Sequence, residues 1–92
     1  MDIVDIQILA QEKLEVKHHV SPREVFEVFY GDPRIFFDEK GDVAGEDVYA
    51  ALGQTWAGRY LLVFFIYKKN QVALVTSARE MTAKEKRRYG KK

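Results

Sequence analysis

Residues 59–67 read RYLLVFFIY, and this stretch decides the fold that we expect of the chain. Its apolar run covers residues 60–67, whereas a membrane-spanning helix needs about 20 apolar residues. Apolar side chains occupy both alternating faces, which is typical of a strand covered on both sides. We therefore predict a buried strand over residues 59–67 in the middle of a sheet.

Three further strands are predicted around this one. Residues 47–53 precede it across the connection TWAG, whose glycine suits a hairpin turn. Residues 72–78 follow it across the turn KKNQ and alternate between an apolar and a more polar face. A first strand is predicted over residues 34–38. Because short turns join these neighbours, we expect an antiparallel sheet of about four strands.

Helices are predicted at both ends of the chain. Residues 3–16 carry apolar side chains at near-helical spacing and predict a first helix. Residues 21–24, SPRE, form a capping box with proline at the first helical position, which predicts a helix to about Phe29. Residues 82–85, TAKE, repeat the box and open a short basic helix through Tyr89. The predicted order is α-α-β-β-β-β-α, an α+β fold.

Composition narrows the class of protein. A chain of 92 residues with 47% hydrophobic and 32% charged residues predicts one globular domain over residues 1–92. The absence of cysteine excludes disulfides, thiolate zinc sites and cysteine nucleophiles. The N-terminus, MDIVD, carries acid where a signal peptide carries base. We therefore expect a soluble, cytoplasmic protein that does not engage a membrane.

Charge is unevenly distributed along the chain. Residues 1–50 hold 12 acidic and 5 basic side chains, whereas residues 51–92 hold 2 acidic and 10 basic ones. Such a distribution can create a surface that attracts phosphate. The alternative is that the two halves interleave in the fold and neutralise each other.

Two arginines are the first candidates for chemistry. Arg59 opens the central strand and Arg79 follows the last one, so a hairpin brings both to the same end of the sheet. Two converging guanidinium groups would bind a phosphodiester and stabilise negative charge growing on phosphorus. The alternative is a pair of exposed arginines bound to acidic neighbours. Glu80 could act as a general base or neutralise Arg79.

The two histidines, His18 and His19, are candidates for proton transfer. A histidine side chain gains and loses a proton near neutral pH, so it can pass one between a ribose 2′-hydroxyl and a leaving 5′-oxygen. The alternative is a polar helix end, where histidine favours the helix dipole. Adjacent histidines are a poor metal pair, and no cysteine or third histidine completes a zinc site.

Basic and aromatic side chains predict RNA contacts. The basic segment at the end of the chain can follow phosphates along one helix face; it contains Lys84, Lys86, Arg87, Arg88, Lys91 and Lys92. The alternative is a solvated helix face. Trp56 and Tyr49 could stack on a base, although a turn tryptophan more often covers the apolar edge of a sheet.

Three segments resemble the BrnT family of ribonuclease toxins. Residues 49–67 contain ALGQTWAGRYLLV, which is similar to the family's strand pair, ALG-x-T-x-x-GR-x-L-x-V. Residues 75–82, VTSAREMT, followed by EKRRY at 85–89, resemble its closing ISAR-x-x-T-x-x-E-x-R-x-Y. Residues 18–29, HHVSPREVFEVF, resemble H-G/N-V-S-x-x-E-V-x-E-V-F. The resemblance covers roughly residues 17–89.

The resemblance implies a RelE-like fold and a metal-independent endoribonuclease toxin that needs no cofactor. It implies RNA as substrate and a BrnA-like, ribbon-helix-helix antitoxin as partner, in a homodimer or a toxin–antitoxin heterotetramer. The family positions fall on His18, Arg59 and Arg79, with Lys17 and the region of Glu85 as weaker candidates. The rival hypothesis is an inactive relative that docks a protein or nucleic acid.

Two positions depart from the family pattern. The family opens with a strand that ends in a tryptophan–acid pair, and Gln7 stands at that place here. His19 stands where the family has glycine or asparagine.

Overall fold

A computed structural model describes residues 1–90 and contains three helices and five strands; the predicted basic residues Lys91 and Lys92 lie outside the described residues. In chain order the elements are β1 (Asp5–Ile8), α1 (Gln11–His18), α2 (Pro22–Tyr30), β2 (Arg34–Glu39), β3 (Val48–Gln54), β4 (Tyr60–Tyr67), β5 (Val72–Glu80) and α3 (Ala83–Gly90). The α+β class is confirmed. No helix within residues 1–90 is both long and apolar enough to cross a membrane.

The strands form one sheet in the order β1-β5-β4-β3-β2, which confirms that the apolar strand β4 is central. Strands β2 to β5 pair antiparallel, as predicted. The edge strand β1 was not predicted, and it pairs parallel to β5 with Asp5 opposite Val72 and Ile8 opposite Val75. The sheet is therefore five-stranded and mixed.

The single helix predicted over residues 3–16 is wrong, because a strand and a shorter helix share this segment. Ile6 and Ile8 pack against the core, whereas Asp5 and Gln7 between them are exposed. This two-residue alternation is the strand period, but four residues are too few to outweigh the helical spacing of the surrounding apolar positions. The chain thus opens with a strand, as the resemblance implied, and Gln7 lies within it.

An apolar cluster covers each face of the sheet, and one cluster is larger than the other. On the helical face, Val63 and Phe65 of β4 pack with Val25 and Val28 of α2 in the larger core cluster. Helix α2 approaches so closely that a Cβ added to Gly53 would lie 2.8 Å from Val28 Cγ1. On the opposite face, here called the α3 face, a smaller cluster contains Ala50, Leu52, Leu62 and Met81. Both faces of β4 are covered, as its sequence predicts.

Candidate active site

Arg59 joins the central strand to the junction between α1 and α2. It immediately precedes β4, and its Nη1 atom donates to the His19 carbonyl at 2.6 Å and to the Glu24 carboxylate at 2.9 and 3.0 Å. Its Nη2 atom donates to the His18 carbonyl at 3.4 Å. The Arg59 side chain is 29% exposed, so part of its guanidinium group is shielded from water. Arg59 therefore fixes the backbone that carries both histidines.

Glu24 is the principal anion beside Arg59. It also completes the predicted capping box, because its amide donates to Ser21 Oγ at 3.2 Å and its carboxylate accepts from the Ser21 amide at 3.0 Å. Burial acts to raise the pKa of Glu24, but hydrogen bonds from the Ser21 amide and Arg59 outweigh it and leave that pKa below its ordinary value. Glu24 thus stays ionised and holds Arg59 against the start of α2.

Arg79 lies at the same end of the sheet but on the α3 face. It forms a bidentate pair with Glu85, with Nη1–Oε1 and Nη2–Oε2 distances of 2.7 and 2.9 Å. Its Cζ atom lies 5.7 Å from the centre of the Phe64 ring. Hydrogen bonding to Glu85 raises the pKa of Arg79 and lowers that of Glu85 to about 2. Arg79 therefore fastens α3 to the sheet.

The prediction that both guanidinium groups converge on one phosphate is wrong, and a β-bulge explains why. Phe64 pairs with Ser77 but Phe65 pairs with Val75, so Thr76 is an extra residue in β5. In a regular hairpin residue 79 would lie opposite Leu61, on the face that Arg59 shares. The bulge places Arg79 opposite Leu62 instead. One inserted residue thus moves its side chain to the other face.

Both arginines adopt the alternative that the sequence left open, in which each binds an acidic neighbour. Arg59 pairs with Glu24, and its Nε atom lies 3.7 Å from the Glu80 carboxylate. Glu80 therefore neutralises Arg59 rather than Arg79, because Arg79 donates to the backbone carbonyl of Glu80, at 3.1 Å, and not to its carboxylate. The Glu80 side chain is 60% exposed, so its carboxylate remains open to solvent.

His18 and Lys17 lie at a cationic groove at the end of α1. The groove, of about 280 Å³, is lined by Lys13, Lys17 and His18 of α1 and by the bulge residues Thr76 and Ser77. Strand β1 ends opposite Val75, so residues 76–80 of β5 have no described strand on their outer side. Since β-bulges are over-represented beside active sites, this edge of β5 is a candidate part of the active site.

Sequence reasoning found His18 and Lys17 in this groove but missed the other residues that α1 and β5 contribute to it. Lys13 was not among the predicted site residues, although it lies four residues before Lys17 and so on the same helix face. That spacing was a usable signal only once the helix was known to continue past residue 16, through Lys17 to His18. Thr76 and Ser77 gave no signal, because a bulge cannot be read from their letters.

Trp56 projects from the β3–β4 turn into solvent, with 72% of its surface exposed. The interpretation that it covers the sheet edge is therefore wrong. The buried carboxylate of Glu27 accepts from the Trp56 amide at 3.0 Å and lies 3.3 Å from Arg23 Nε. The Arg23 guanidinium lies 5.6 Å from the indole ring centre, at cation–π distance. Arg23 and Glu27, neither of them predicted, thus contact the ring and the amide of this tryptophan, respectively.

The cations of α3 differ in their surroundings. Lys84 and Arg87 are exposed, which is compatible with phosphate contacts and equally with a solvated helix face. Arg88 instead lies over the Phe36 ring, with its Cζ atom 3.5 Å from the ring centre. None of these side chains shares a groove with His18. Within residues 1–90, no three His, Asp or Glu side chains are grouped so that they could hold a metal ion.

Comparison with known proteins identifies the family. No curated protein sequence matches the chain. The family model described as "Ribonuclease toxin, BrnT, of type II toxin-antitoxin system" matches residues 10–85 of the 92. This range runs from the start of the cationic groove to Glu85 on α3, and it contains the α1–α2 junction, Arg59 and Arg79. The chain therefore belongs to the BrnT family of ribonuclease toxins.

Proposed function

We propose that this protein is an endoribonuclease toxin that cleaves RNA at the end of the sheet where Arg59 meets His18. The observation that carries the proposal is the set of hydrogen bonds from Arg59 to the backbone of His18 and His19, beside the cationic groove. A fixed guanidinium next to a histidine supplies two needs of phosphodiester cleavage, charge stabilisation and proton transfer.

The reaction that we propose needs only the RNA itself as nucleophile. A base removes the proton of the ribose 2′-hydroxyl, and that oxygen bonds to phosphorus as the bond to the 5′-oxygen breaks. The products are a 2′,3′-cyclic phosphate and a free 5′-hydroxyl, whose proton comes from a general acid. His18 serves in one proton transfer, and the exposed carboxylate of Glu80 is the group available for the other. Arg59 stabilises the charge that grows on the phosphate oxygens.

Arg79 takes a separate part in this proposal. Because it lies on the α3 face, it cannot share the scissile phosphate with Arg59 in the described arrangement. Together with Lys84, Arg87 and Arg88 it instead offers positive charge to flanking phosphates, while Lys17 does so in the groove. Trp56 gives a flanking base an exposed ring on which to stack, a contact that contributes about 1–3 kcal/mol per base in single-stranded complexes.

Adjacent histidines allow a matched test of catalysis. Purified protein is incubated with single-stranded RNA in EDTA, and fragments are separated by electrophoresis. We expect His18→Ala to lower the cleavage rate about 10²–10⁴-fold, the usual contribution of a general acid or base. His19→Asn is the control, because asparagine tolerates the left-handed backbone of His19. Equal rates for the two variants, with unchanged circular dichroism, would exclude His18 from the reaction.

A second candidate function is a binding module without cleavage. It is favoured by the ion pairs that occupy both arginines and by Gln7 in place of the family's tryptophan. In the same assay this alternative predicts RNA that is retained on the protein but stays intact. An antitoxin that sequesters such a chain would have no cleavage activity to inhibit.

A further inference from the structure

A second cavity, of about 630 Å³, lies on the helical face away from His18. Its apolar surface comes from Ile3, Ile35, Phe37 and Tyr49, and its acidic side chains are Asp2 and Asp32. We call it the acidic groove. It shares no lining residue with the cationic groove. Tyr49 pairs with Phe65, which is six residues along the chain from Arg59, so Tyr49 lies about 20 Å from the Arg59 position along the strand direction.

The acidic groove exposes apolar surface that is held in a fixed arrangement. Phe37 is 58% exposed and Tyr30 is 77% exposed, and both line the groove. Phe37 contacts Tyr49 edge-on at a centroid distance of 5.8 Å, and Tyr49 stacks on the buried Phe65, also at 5.8 Å. Contiguous exposed apolar surface of this kind marks interaction sites, and a fixed floor loses little freedom on binding.

Charge decides which class of macromolecule fits. Asp2 and Asp32 form no ion pair within residues 1–90, and no lysine or arginine side chain lines the groove; the amino group of Met1 is the one positive group among its lining residues. The excess of carboxylates over cations repels the phosphates of RNA and attracts lysine and arginine. The groove is therefore suited to a protein segment and unsuited to the substrate.

We propose that the acidic groove anchors a partner-protein segment that has an aliphatic side flanked by lysine or arginine. The identity of the partner, but not its chemistry, rests on the proposed function: a type II toxin is bound by a protein antitoxin. Aliphatic side chains would cover Phe37 and Tyr49, while the flanking cations would pair with Asp2 and Asp32. The partner thus binds the chain toward the end of the sheet that is opposite to Arg59.

The test uses a fluorescent amphipathic peptide of leucine and lysine as probe, with a leucine–glutamate peptide of the same apolar pattern as control. Binding to the full chain is measured by anisotropy. We expect the lysine peptide to bind wild type and the glutamate peptide not to bind. Phe37→Ser, and separately the double variant Asp2→Asn/Asp32→Asn, should each weaken binding at least about tenfold. Val16→Ser, at a site that is 77% exposed and outside the groove, should leave it unchanged.

Several outcomes would overturn the proposal. Equal affinity for Phe37→Ser and Val16→Ser would place the peptide elsewhere, and equal affinity for both peptides would remove the role of charge. A wild-type dimer in sedimentation that Phe37→Ser dissolves would assign the groove to a second copy of the chain. RNA cleavage is measured on the same variants and should match wild type. A chain that binds the peptide but cleaves no RNA would contradict the proposed function and leave the groove intact.

Discussion

At the scale of single residues, the backbone conformation of His19 shows why the family usually has glycine or asparagine at this position. It is the C-cap of α1 and lies in the left-handed helical region, with φ 54° and ψ 39°. In this conformation the His19 amide donates a hydrogen bond to the Glu15 carbonyl at 3.1 Å. Glycine and asparagine adopt that region most readily, which gives a physical reason for the family's usual residues here.

Replacement of His19 by glycine should therefore stabilise the fold. A non-glycine residue in the left-handed region costs roughly 1–2 kcal/mol of stability. Glycine avoids this cost, but the greater conformational freedom of the unfolded glycine chain offsets part of the gain. We expect His19→Gly to raise the free energy of unfolding by about 0.5–1 kcal/mol, measured by urea denaturation. Lys17→Gly, two residues earlier in the helix, should lower it by about 1 kcal/mol. Lower stability in both variants would contradict the cap assignment.

Residue-level chemistry was predictable from sequence where it depends on spacing along the chain. The capping boxes at Ser21 and Thr82 are confirmed by reciprocal hydrogen bonds. The face of Arg79 relative to Arg59 was not predictable, because it depends on the bulge at Thr76. A bulge follows from the packing of a whole sheet and leaves no pattern in the strand that contains it.

At the scale of elements, the attachment of α3 depends on Glu85. Its carboxylate accepts from Arg79 and, at 2.9 Å, from the Thr82 amide that begins the helix. Hydrogen bonding to Arg79 is the largest cause that lowers the pKa of Glu85 from 4.5 to about 2. A carboxyl group with a lowered pKa in the folded state contributes stability above its unfolded pKa, and that contribution disappears as the pH falls through the folded value.

Glu85→Gln should accordingly destabilise the protein at neutral pH but not in strong acid. The side chains of the pair are 37% and 23% exposed, so we expect a loss of about 0.5–1 kcal/mol, near the upper end for exposed ion pairs. The difference from wild type should shrink below pH 4.5 and vanish near pH 2, measured by urea denaturation across that range. Glu15→Gln, an exposed acid on α1, is the control. A difference that is independent of pH would show that the ion pair contributes nothing.

How well each helix or strand could be predicted from the sequence depended largely on its length. Strands β2 to β5 and helix α2 were predictable because each has a long periodic pattern or a clear end signal. Strand β1 has four residues and owes its existence to a partner near the other end of the chain. Its pairing with β5 is a tertiary contact, and local periodicity carries no record of it.

At the scale of the whole molecule, cationic and acidic side chains lie in two different grooves. The groove beside α1 carries Lys13 and Lys17, whereas the acidic groove carries Asp2 and Asp32. We expect RNA affinity, measured by filter binding in EDTA over a series of KCl concentrations, to fall linearly on a log–log plot. Lys13→Ala/Lys17→Ala should reduce that slope by about 0.7 per lost phosphate contact.

The matched control for this measurement is Lys40→Ala, an exposed cation beside the acidic residues of β2 and outside the cationic groove. It should leave the salt slope unchanged. Equal slopes for all three proteins would place the RNA away from α1, and a shallower slope for Lys40→Ala alone would place it at β2.

The parallel pairing of β1 with β5 also governs how the molecule is made. Strand β1 precedes every other described element and pairs with the last described strand, so this pairing needs all the residues between them to be present first. Contacts between such distant segments are slow to form, because a long loop must be ordered first. Until β5 is in place, α1 has no strand against which the groove lined by Lys13, Lys17 and His18 can form. We therefore expect the pairing of β1 with β5, and with it this groove, to form late in folding.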